Sequence, residues 1–184
     1  MTIYVLKKRL EKRVTSMSYD YSENILVQES AGNLLRDELD WDVQFAYNTE
    51  VLGKNGTFGR ESYKDILLTR YFKEALKNYN PWINESQIIE AQQILEKRLS
   101  TSSLLQVNEE KYFLIRDGIP VTVKKPNGQT ETKKAAVIDF QNPSNNYFLA
   151  IKELKIHGDL YRRRTDIVGF VNGIPLLFVE LKKN

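Results

Sequence analysis

Two charged residues near the C-terminal end of the chain have types and spacing suited to chemistry. Glu180 and Lys182 interrupt the apolar run that begins at Ile174, and their alternate positions place both side chains on one face of a strand. That face also carries Leu176 and Phe178, so we expect it to begin buried and to end charged. A buried face that ends in a carboxylate and an ammonium requires either a structural ion pair or a site.

A third charged residue precedes them on the neighbouring strand. Asp166 lies 14 positions before Glu180, across a turn predicted at Asn172-Gly173. Two converging carboxylates are suitable ligands for Mg²⁺, which prefers oxygen donors and keeps several waters. A lysine beside them can orient or help deprotonate a water, so Asp166, Glu180 and Lys182 are the minimal parts for phosphodiester hydrolysis. The alternative is an exposed hairpin end with solvated charges, since Glu-x-Lys in a strand is a weak pattern.

The register of this hairpin decides whether the two carboxylates converge. A regular hairpin with a two-residue turn at Asn172-Gly173 would pair Asp166 with Val179 and place Glu180 on the other face. For the two carboxylates to converge, the pairing of the two strands must shift by one residue relative to that regular hairpin. We predict that a three-residue loop with a left-handed Gly173 and a G1 bulge supplies this shift.

Composition excludes several other kinds of site. The 184 residues include no cysteine and one histidine, His157. This excludes disulfides, thiolate metal sites and cysteine nucleophiles, and it argues against a multi-histidine metal centre. No apolar run approaches the roughly 20 residues of a membrane-spanning helix, and no secretory signal opens the chain. We therefore expect a cytoplasmic protein.

The elements that must position these residues change character along the chain. Helical periodicity predicts helices near 22–39, 67–80, 84–99 and 104–118, with N-caps at Ser22 and Asn84. Period-two patterns predict strands at Trp41–Phe45, Val121–Val123, Ala136–Phe140, Tyr147–Ile156, Asp166–Val171 and Pro175–Lys182. Gly53–Gly59 lacks a phosphate-binding ending and is interpreted as a plain connection. This order predicts one α+β domain, mainly helical over 1–118 and β-rich over 119–184, with helices flanking a mainly antiparallel or mixed sheet.

The C-terminal motif closely resembles that of the PD-(D/E)xK nuclease superfamily, in the form found in the N-terminal domain of type I restriction enzyme motor subunits. That form reads Arg-x-Asp, then Val-Asn-Gly-x-Pro-Leu, then Glu-Leu-Lys. The matching segments here are Arg164–Asp166, Val171–Leu176 and Glu180–Lys182. Val137–Pro143 and Asn145–Phe148 are similar to the family's upstream segment. The resemblance implies a restriction-endonuclease-like core.

The resemblance also implies a reaction and a set of roles. It implies that Asp166 and Glu180 are metal ligands, with the Leu181 carbonyl as a third, and that Lys182 is the catalytic lysine. Glu29 lies where such nucleases often carry an accessory acidic residue. The implied activity is Mg²⁺-dependent cleavage of double-stranded DNA by a type I restriction endonuclease.

The basic residues and the implied partners extend this interpretation. The net charge of +3 lies in residues 151–184, where seven basic residues accompany four acidic ones. Arg162, Arg163 and Arg164 immediately precede the motif, so we expect them to contact DNA phosphates, with a solvated turn as the alternative for the first two. The family implies methyltransferase and specificity subunits as partners, and a bacterial or archaeal cytoplasm.

Two departures and two alternatives accompany the resemblance. The family pattern continues past Lys182 into a helix, and the chain contains no nucleotide-binding motif for the family's ATP-driven translocase. We therefore expect a C-terminally truncated piece of a longer subunit, which argues against full activity of this piece alone.

Two alternative functions stay open. One is a non-catalytic module that binds DNA or docks subunits, and the other is a stand-alone repair or defence nuclease. Asp139, Asn146 and His157 are expected to have structural roles, the first two in buried hydrogen bonding.

Overall fold

The computed structural model describes residues 23–97, 103–158 and 161–181. Ser22, the predicted cap of the first helix, lies outside them. The helices are α1 (Glu23–Leu39), α2 (Thr69–Tyr79), α3 (Glu85–Glu96) and α4 (Leu104–Asp117). The strands are β1 (Asp42–Phe45), β2 (Ile119–Lys124), β3 (Thr130–Ala135), β4 (Phe148–Lys152), β5 (Lys155–His157), β6 (Arg162–Arg164), β7 (Ile167–Val171) and β8 (Ile174–Val179). The predicted α+β class is confirmed.

A four-stranded mixed sheet in the order β1-β4-β7-β8 positions the motif. β1 runs parallel to β4, whereas β4 with β7 and β7 with β8 are antiparallel pairs. The parallel pair is possible because the long connection from β1 to β4 contains α2 to α4 and can cross over. All five residues of β7 are buried, as expected for an apolar interior strand covered on both faces.

The two faces of this sheet have different coverings. On one face, Leu35 of α1 packs with Ala150 and Ile167, and Trp41 adds to the cluster. The cluster on the other face contains sheet residues together with the start of α2 and the loop that follows β1. Its buried members are Ala46, Phe58, Leu68, Leu149, Ile151, Leu154, Val168 and Phe170. Alternating apolar residues on β4 and β7 therefore supply both layers.

A separate cluster joins the helices to the β2–β3 hairpin. Phe72 and Leu76 of α2 pack with Ile88 of α3 and with Val121 of β2. α3 begins at the predicted capping box, in which the Asn84 side chain accepts from two backbone N–H groups while the side chain of residue 87 caps in return. Local cap chemistry thus placed this helix correctly.

The second arm of the β2–β3 hairpin differs from the prediction. The arm is Thr130–Ala135, so the predicted strand at Ala136–Phe140 is wrong. Thr130–Ala135 is mostly polar because it pairs only with β2 and keeps one face exposed. The predicted strand Tyr147–Ile156 is also interrupted, because Glu153 has a φ of 56° and separates β4 from β5.

The described helices are too short or too polar to cross a lipid bilayer.

Candidate active site

The turn between β7 and β8 is a tight two-residue turn. Val171 pairs with Ile174, which leaves only Asn172 and Gly173 in the turn. Their φ values of 51° and 81° are both left-handed, the combination that Asn-Gly favours in a hairpin. The predicted three-residue loop is therefore wrong, because both turn residues accept positive φ and the shorter turn matches the twist of the strands.

The predicted one-residue shift in strand pairing is nevertheless present, but it lies inside the strands rather than in the turn. Phe170 pairs with Pro175, but the preceding Gly169 pairs with Leu177, so Leu176 is an extra residue on β8. This is a β-bulge, which shifts the register by one residue. Beyond the bulge, Ile167 pairs with Val179. Continuing that register by one residue places Asp166 opposite Glu180 on a shared face.

Gly169 accommodates the crowding beside the bulge. A Cβ at Gly169 would lie 2.7 Å from Cζ3 of Trp41 and 2.9 Å from Cβ of Leu177. The absence of a side chain thus allows the Trp41 ring and the bulged strand to approach β7 closely.

Asp166 is held from both its side chain and its backbone. Its Oδ2 accepts a 2.6 Å hydrogen bond from the backbone N–H of Leu181. Its carbonyl oxygen accepts from Nε2 of Gln28 at 3.2 Å and from the N–H of Glu153 at 2.9 Å. The carboxylate is half-buried and its orientation is fixed, whereas Oδ1 accepts no hydrogen bond from the described residues and is available to a ligand.

The face that carries Glu180 is open rather than buried. Leu176 and Phe178 are 49% and 59% exposed, and Glu180 is exposed as well. The prediction that this face begins buried is wrong because β8 is an edge strand whose alternate residues, Leu177 and Val179, supply the contact with the α1 cluster. The carboxylates therefore lie where a large substrate can reach them.

A groove in the described part of the chain lies elsewhere. It has a volume of about 820 Å³ and is lined by Leu95, Tyr112, Phe140 and Leu176, among other residues. Neither Asp166 nor Glu180 lines it. An open sheet edge suits a polymer such as a nucleic acid better than it suits a small molecule, which concave pockets bury.

The donor set is compatible with a hard divalent cation. In residues 23–97, 103–158 and 161–181 no three carboxylate, histidine or cysteine side chains converge on a metal position. A cation would be held by Asp166, Glu180 and the Leu181 carbonyl, with water as the remaining ligands. Mg²⁺ characteristically binds through one or two carboxylates and keeps several waters, so the residues present fit it.

Of two further predicted site residues, Lys182 and Glu29, the structure describes only Glu29. Lys182 lies outside the described residues. Glu29 is exposed on α1, whereas its neighbour Gln28 is buried and contacts the Asp166 backbone. The only sequence signal for Gln28 is that it is a polar residue among the apolar positions of an amphipathic helix.

The three predicted arginines form a strand rather than a turn. Arg162, Arg163 and Arg164 are β6, which pairs antiparallel with β5, and all three are exposed. Arg164 forms an ion pair with Glu153 at 3.2 Å, and its guanidinium lies 4.7 Å from the centre of the Tyr47 ring.

Asn146 and Asn172 form a buried network of hydrogen bonds behind the turn. Nδ2 of Asn172 donates to Oδ1 of Asn146 at 2.8 Å and to the Val137 carbonyl at 2.9 Å. Oδ1 of Asn146 also accepts from the Asp139 N–H and from the Tyr79 hydroxyl. The expectation of buried hydrogen bonding is confirmed for Asn146. The network fixes the turn and hence the register of β8.

The Asp139 side chain holds the segment that leads into the short 3₁₀ turn Pro143–Asn145. Its Oδ1 accepts from the N–H groups of Gln141 and Asn142, and its Oδ2 accepts from Nδ2 of Asn145. These hydrogen bonds, that of the Asn142 backbone first, hold the pKa of the Asp139 carboxyl below its ordinary value of 3.8. Asp139 therefore orders the segment that carries Asn146.

The chain was compared with known families and proteins. Residues 20–184 match the family model described as type I restriction enzyme R protein N terminus. The chain is 30% identical over 145 residues to the type I restriction enzyme HindI endonuclease subunit of Haemophilus influenzae, covering 78% of this chain and 13% of that protein. It is also 30% identical over 126 residues to the putative type I restriction enzyme MjaIXP endonuclease subunit of Methanocaldococcus jannaschii, covering 67% of this chain and 12% of the relative. The chain thus spans only about an eighth of the length of either protein.

Proposed function

Because the chain belongs to the family of type I restriction enzyme R protein N termini, we propose that it is the DNA-cleaving domain of a type I restriction endonuclease subunit. The observation that carries the proposal is the Leu176 bulge, because its register, continued by one residue beyond the pair Ile167–Val179, puts Asp166 opposite Glu180 despite a two-residue turn. The reaction is hydrolysis of a phosphodiester of double-stranded DNA.

Asp166, Glu180 and the Leu181 carbonyl would hold the divalent cation, which we propose is Mg²⁺. When bound, it supplies Lewis-acid activation of the phosphate and of the attacking water. The Leu181 N–H orients Asp166 by engaging Oδ2, which leaves Oδ1 to face the ion. The buried Gln28 side chain contacts the same residue from α1, so helix and hairpin hold one ligand together.

Lys182 is assigned the proton-handling role. It lies outside the described residues, and its position two residues after Glu180 in the sequence supports the assignment. Its Nζ would orient the attacking water and neutralise charge that develops on the phosphate. Water adds to phosphorus, the bond from phosphorus to the leaving oxygen breaks, and that oxygen takes up a proton.

The surroundings of the site support a large anionic substrate. Glu180 is exposed and Asp166 half-buried at an open sheet edge, and the arginine-rich strand β6 ends two residues before Asp166. We assign phosphate contacts to this strand and an accessory role to Glu29. The same proposal includes the methyltransferase and specificity subunits as partners. It also includes an ATP-driven translocase elsewhere in the subunit and a cytoplasmic location.

Point variants in a full-length subunit, assembled with its partners, test the assignment. Asp166→Ala, Glu180→Ala and Lys182→Ala should each abolish DNA cleavage and leave DNA-stimulated ATP hydrolysis intact. Glu109→Ala is the matched control, because Glu109 is an exposed glutamate of α4 that has no assigned role in the site, and this variant should cleave normally.

The alternative functions predict other outcomes. Cleavage that persists in all three variants would contradict the nuclease assignment and favour a docking or DNA-binding module. Loss of ATP hydrolysis together with cleavage would mean that these residues support assembly rather than chemistry.

A further inference from the structure

The short strands β5 and β6 form a ribbon that continues from the central sheet. Lys152 pairs with Ile167 at the end of β4, and Lys155 pairs with Arg164 in the same register. The Thr165 N–H donates to the Leu154 carbonyl at 3.0 Å between them. The ribbon is therefore anchored to the strand that carries Asp166.

One face of this ribbon concentrates positive charge. Lys155 lies directly opposite Arg164, and His157 lies directly opposite Arg162. Residues paired in this way share a face, and the like charges of Lys155 and Arg164 are destabilising in such a pair. Among the described residues only Glu153 offsets this charge, through its ion pair with Arg164 at 3.2 Å.

Two tyrosines underlie the same face. Nζ of Lys155 lies 5.1 Å from the centre of the Tyr47 ring and 5.9 Å from that of Tyr63. The Arg164 guanidinium lies 4.7 Å from the Tyr47 ring, and the His157 ring lies 4.9 Å from that of Tyr63. Cation–π contacts hold cations in place without neutralising them. The positive charge is thus positioned and still available to an anion.

The other face of the ribbon has a different character. Ile156 packs against the apolar cluster on the sheet, and its cross-strand partner is Arg163. Arg163 therefore projects from the face opposite that of Arg162 and Arg164, although all three are exposed. The DNA affinities of variants at Arg162 and at Arg163 can therefore be compared to tell the two faces apart.

We propose that Lys155, Arg162 and Arg164 form a phosphate-binding face for the backbone of duplex DNA, and that Tyr47 is a positioning residue for Lys155 and Arg164. The proposal rests on the proposed DNA-cleaving function and narrows the phosphate contacts assigned to strand β6 to Arg162 and Arg164, without Arg163. Duplex DNA is the occupant because phosphate contacts need only positioned cations. Binding of single strands relies on aromatic rings that stack on bases, and Tyr47 and Tyr63 are already engaged by cations of the protein.

Fluorescence anisotropy with a labelled duplex tests this proposal on the 184-residue chain, in EDTA so that binding is measured without cleavage. Lys155→Ala and Arg162→Ala should each weaken binding about threefold to tenfold and reduce the slope of log affinity against log salt by about 0.9. Lys124→Ala is the control, because Lys124 is exposed on the other hairpin, and it should bind like the wild type. Arg163→Ala should also retain wild-type affinity and slope.

Variants at Tyr47 test the positioning role. Tyr47→Ala should weaken binding, and Tyr47→Phe, which keeps the ring, should restore it. Equal losses in Arg162→Ala and Arg163→Ala, or wild-type binding in Lys155→Ala and Arg162→Ala, would overturn the proposed face while leaving the nuclease assignment standing. If the wild-type chain does not bind duplex DNA at all, the proposed phosphate-binding face is wrong. Metal-dependent cleavage that persists in the full-length subunit would then show that the proposed nuclease function still stands.

Discussion

The backbone N–H of Leu181 donates a 2.6 Å hydrogen bond to Oδ2 of Asp166. Leu181 lies two residues after the edge strand β8, and Asp166 directly precedes its partner β7. The bond therefore joins the two strands beyond the Leu176 bulge, which has shifted their pairing by one residue. One carboxylate oxygen of Asp166 is thereby used for orientation and the other is left for a ligand. The candidate site depends on hairpin geometry as much as on residue identity.

The turn that sets this geometry should be sensitive to a methyl group. Gly173 has a φ of 81°, and a Cβ there would lie 2.4 Å from the Leu68 carbonyl oxygen. Gly128 has the same φ of 81° with nothing within 4 Å. Gly128→Ala should cost about 1 kcal/mol in the free energy of unfolding from backbone strain alone. Gly173→Ala should cost about 1–3 kcal/mol more because it also creates a clash.

Urea denaturation of both variants measures this difference. Equal losses of stability would show that the turn is not packed against Leu68.

A buried ion pair stabilises the loop that supports the β5–β6 ribbon. Nε and Nη2 of Arg60 donate to the Glu50 carboxylate at 2.8 and 2.7 Å, and Nη2 also donates to the Lys155 carbonyl at 3.1 Å. The side chains of Arg60 and Glu50 are 0% and 3% exposed. Glu50→Gln should therefore destabilise the fold by about 3–5 kcal/mol, because it leaves a buried guanidinium without its counter-charge.

The same loop offers a control for that substitution. Lys54 and Glu61 form an ion pair at 3.6 Å with side chains that are 85% and 64% exposed. Glu61→Gln should change the free energy of unfolding by less than about 0.5 kcal/mol. Thermal or urea unfolding checks both values, and similar effects of the two substitutions would contradict the structural role of Arg60.

Acid should weaken the hydrogen bonds that the Asp139 carboxylate accepts from the segment before the 3₁₀ turn. The pKa of this carboxyl is lower in the folded protein than its ordinary value of 3.8, mainly because of the hydrogen bond from the Asn142 backbone. Its contribution to stability is therefore present above pH 3.8 and is lost as the pH falls through the folded-state pKa. The difference in unfolding free energy between the wild type and Asp139→Asn should narrow over that range. A difference that stays constant on acidification would mean that the carboxylate charge does not stabilise this segment.

Much of the fold could be predicted from local signals. The Asn84 capping box identified the start of α3, and the Asn172-Gly173 pair identified a hairpin, since both depend on a few adjacent residues. The bulge could not be predicted, because Leu176 and Leu177 are both apolar and either could face the core. The register that unites the site depends on Trp41 packing over Gly169, a contact between distant residues.

The residues that surround the site were predicted less well than the motif itself. Gln28 and Arg60 are buried polar residues whose partners lie 138 and 10 positions away in the sequence. Neither has a periodicity that reveals its partner. Strand β6 was missed because three successive arginines do not resemble a strand, and its pairing with β5 is determined by tertiary structure.

We propose that Asp166 and Glu180 share one divalent cation. Paramagnetic broadening of the Leu181 backbone amide by Mn²⁺, in the NMR spectrum of the 184-residue chain, tests this sharing. Asp166→Asn combined with Glu180→Gln preserves side-chain size and keeps an acceptor for the Leu181 N–H. We expect selective broadening of this amide in the wild type and in Glu109→Ala, and a sharp resonance in the double variant. Equal broadening in the double variant would show that the two carboxylates do not hold the ion.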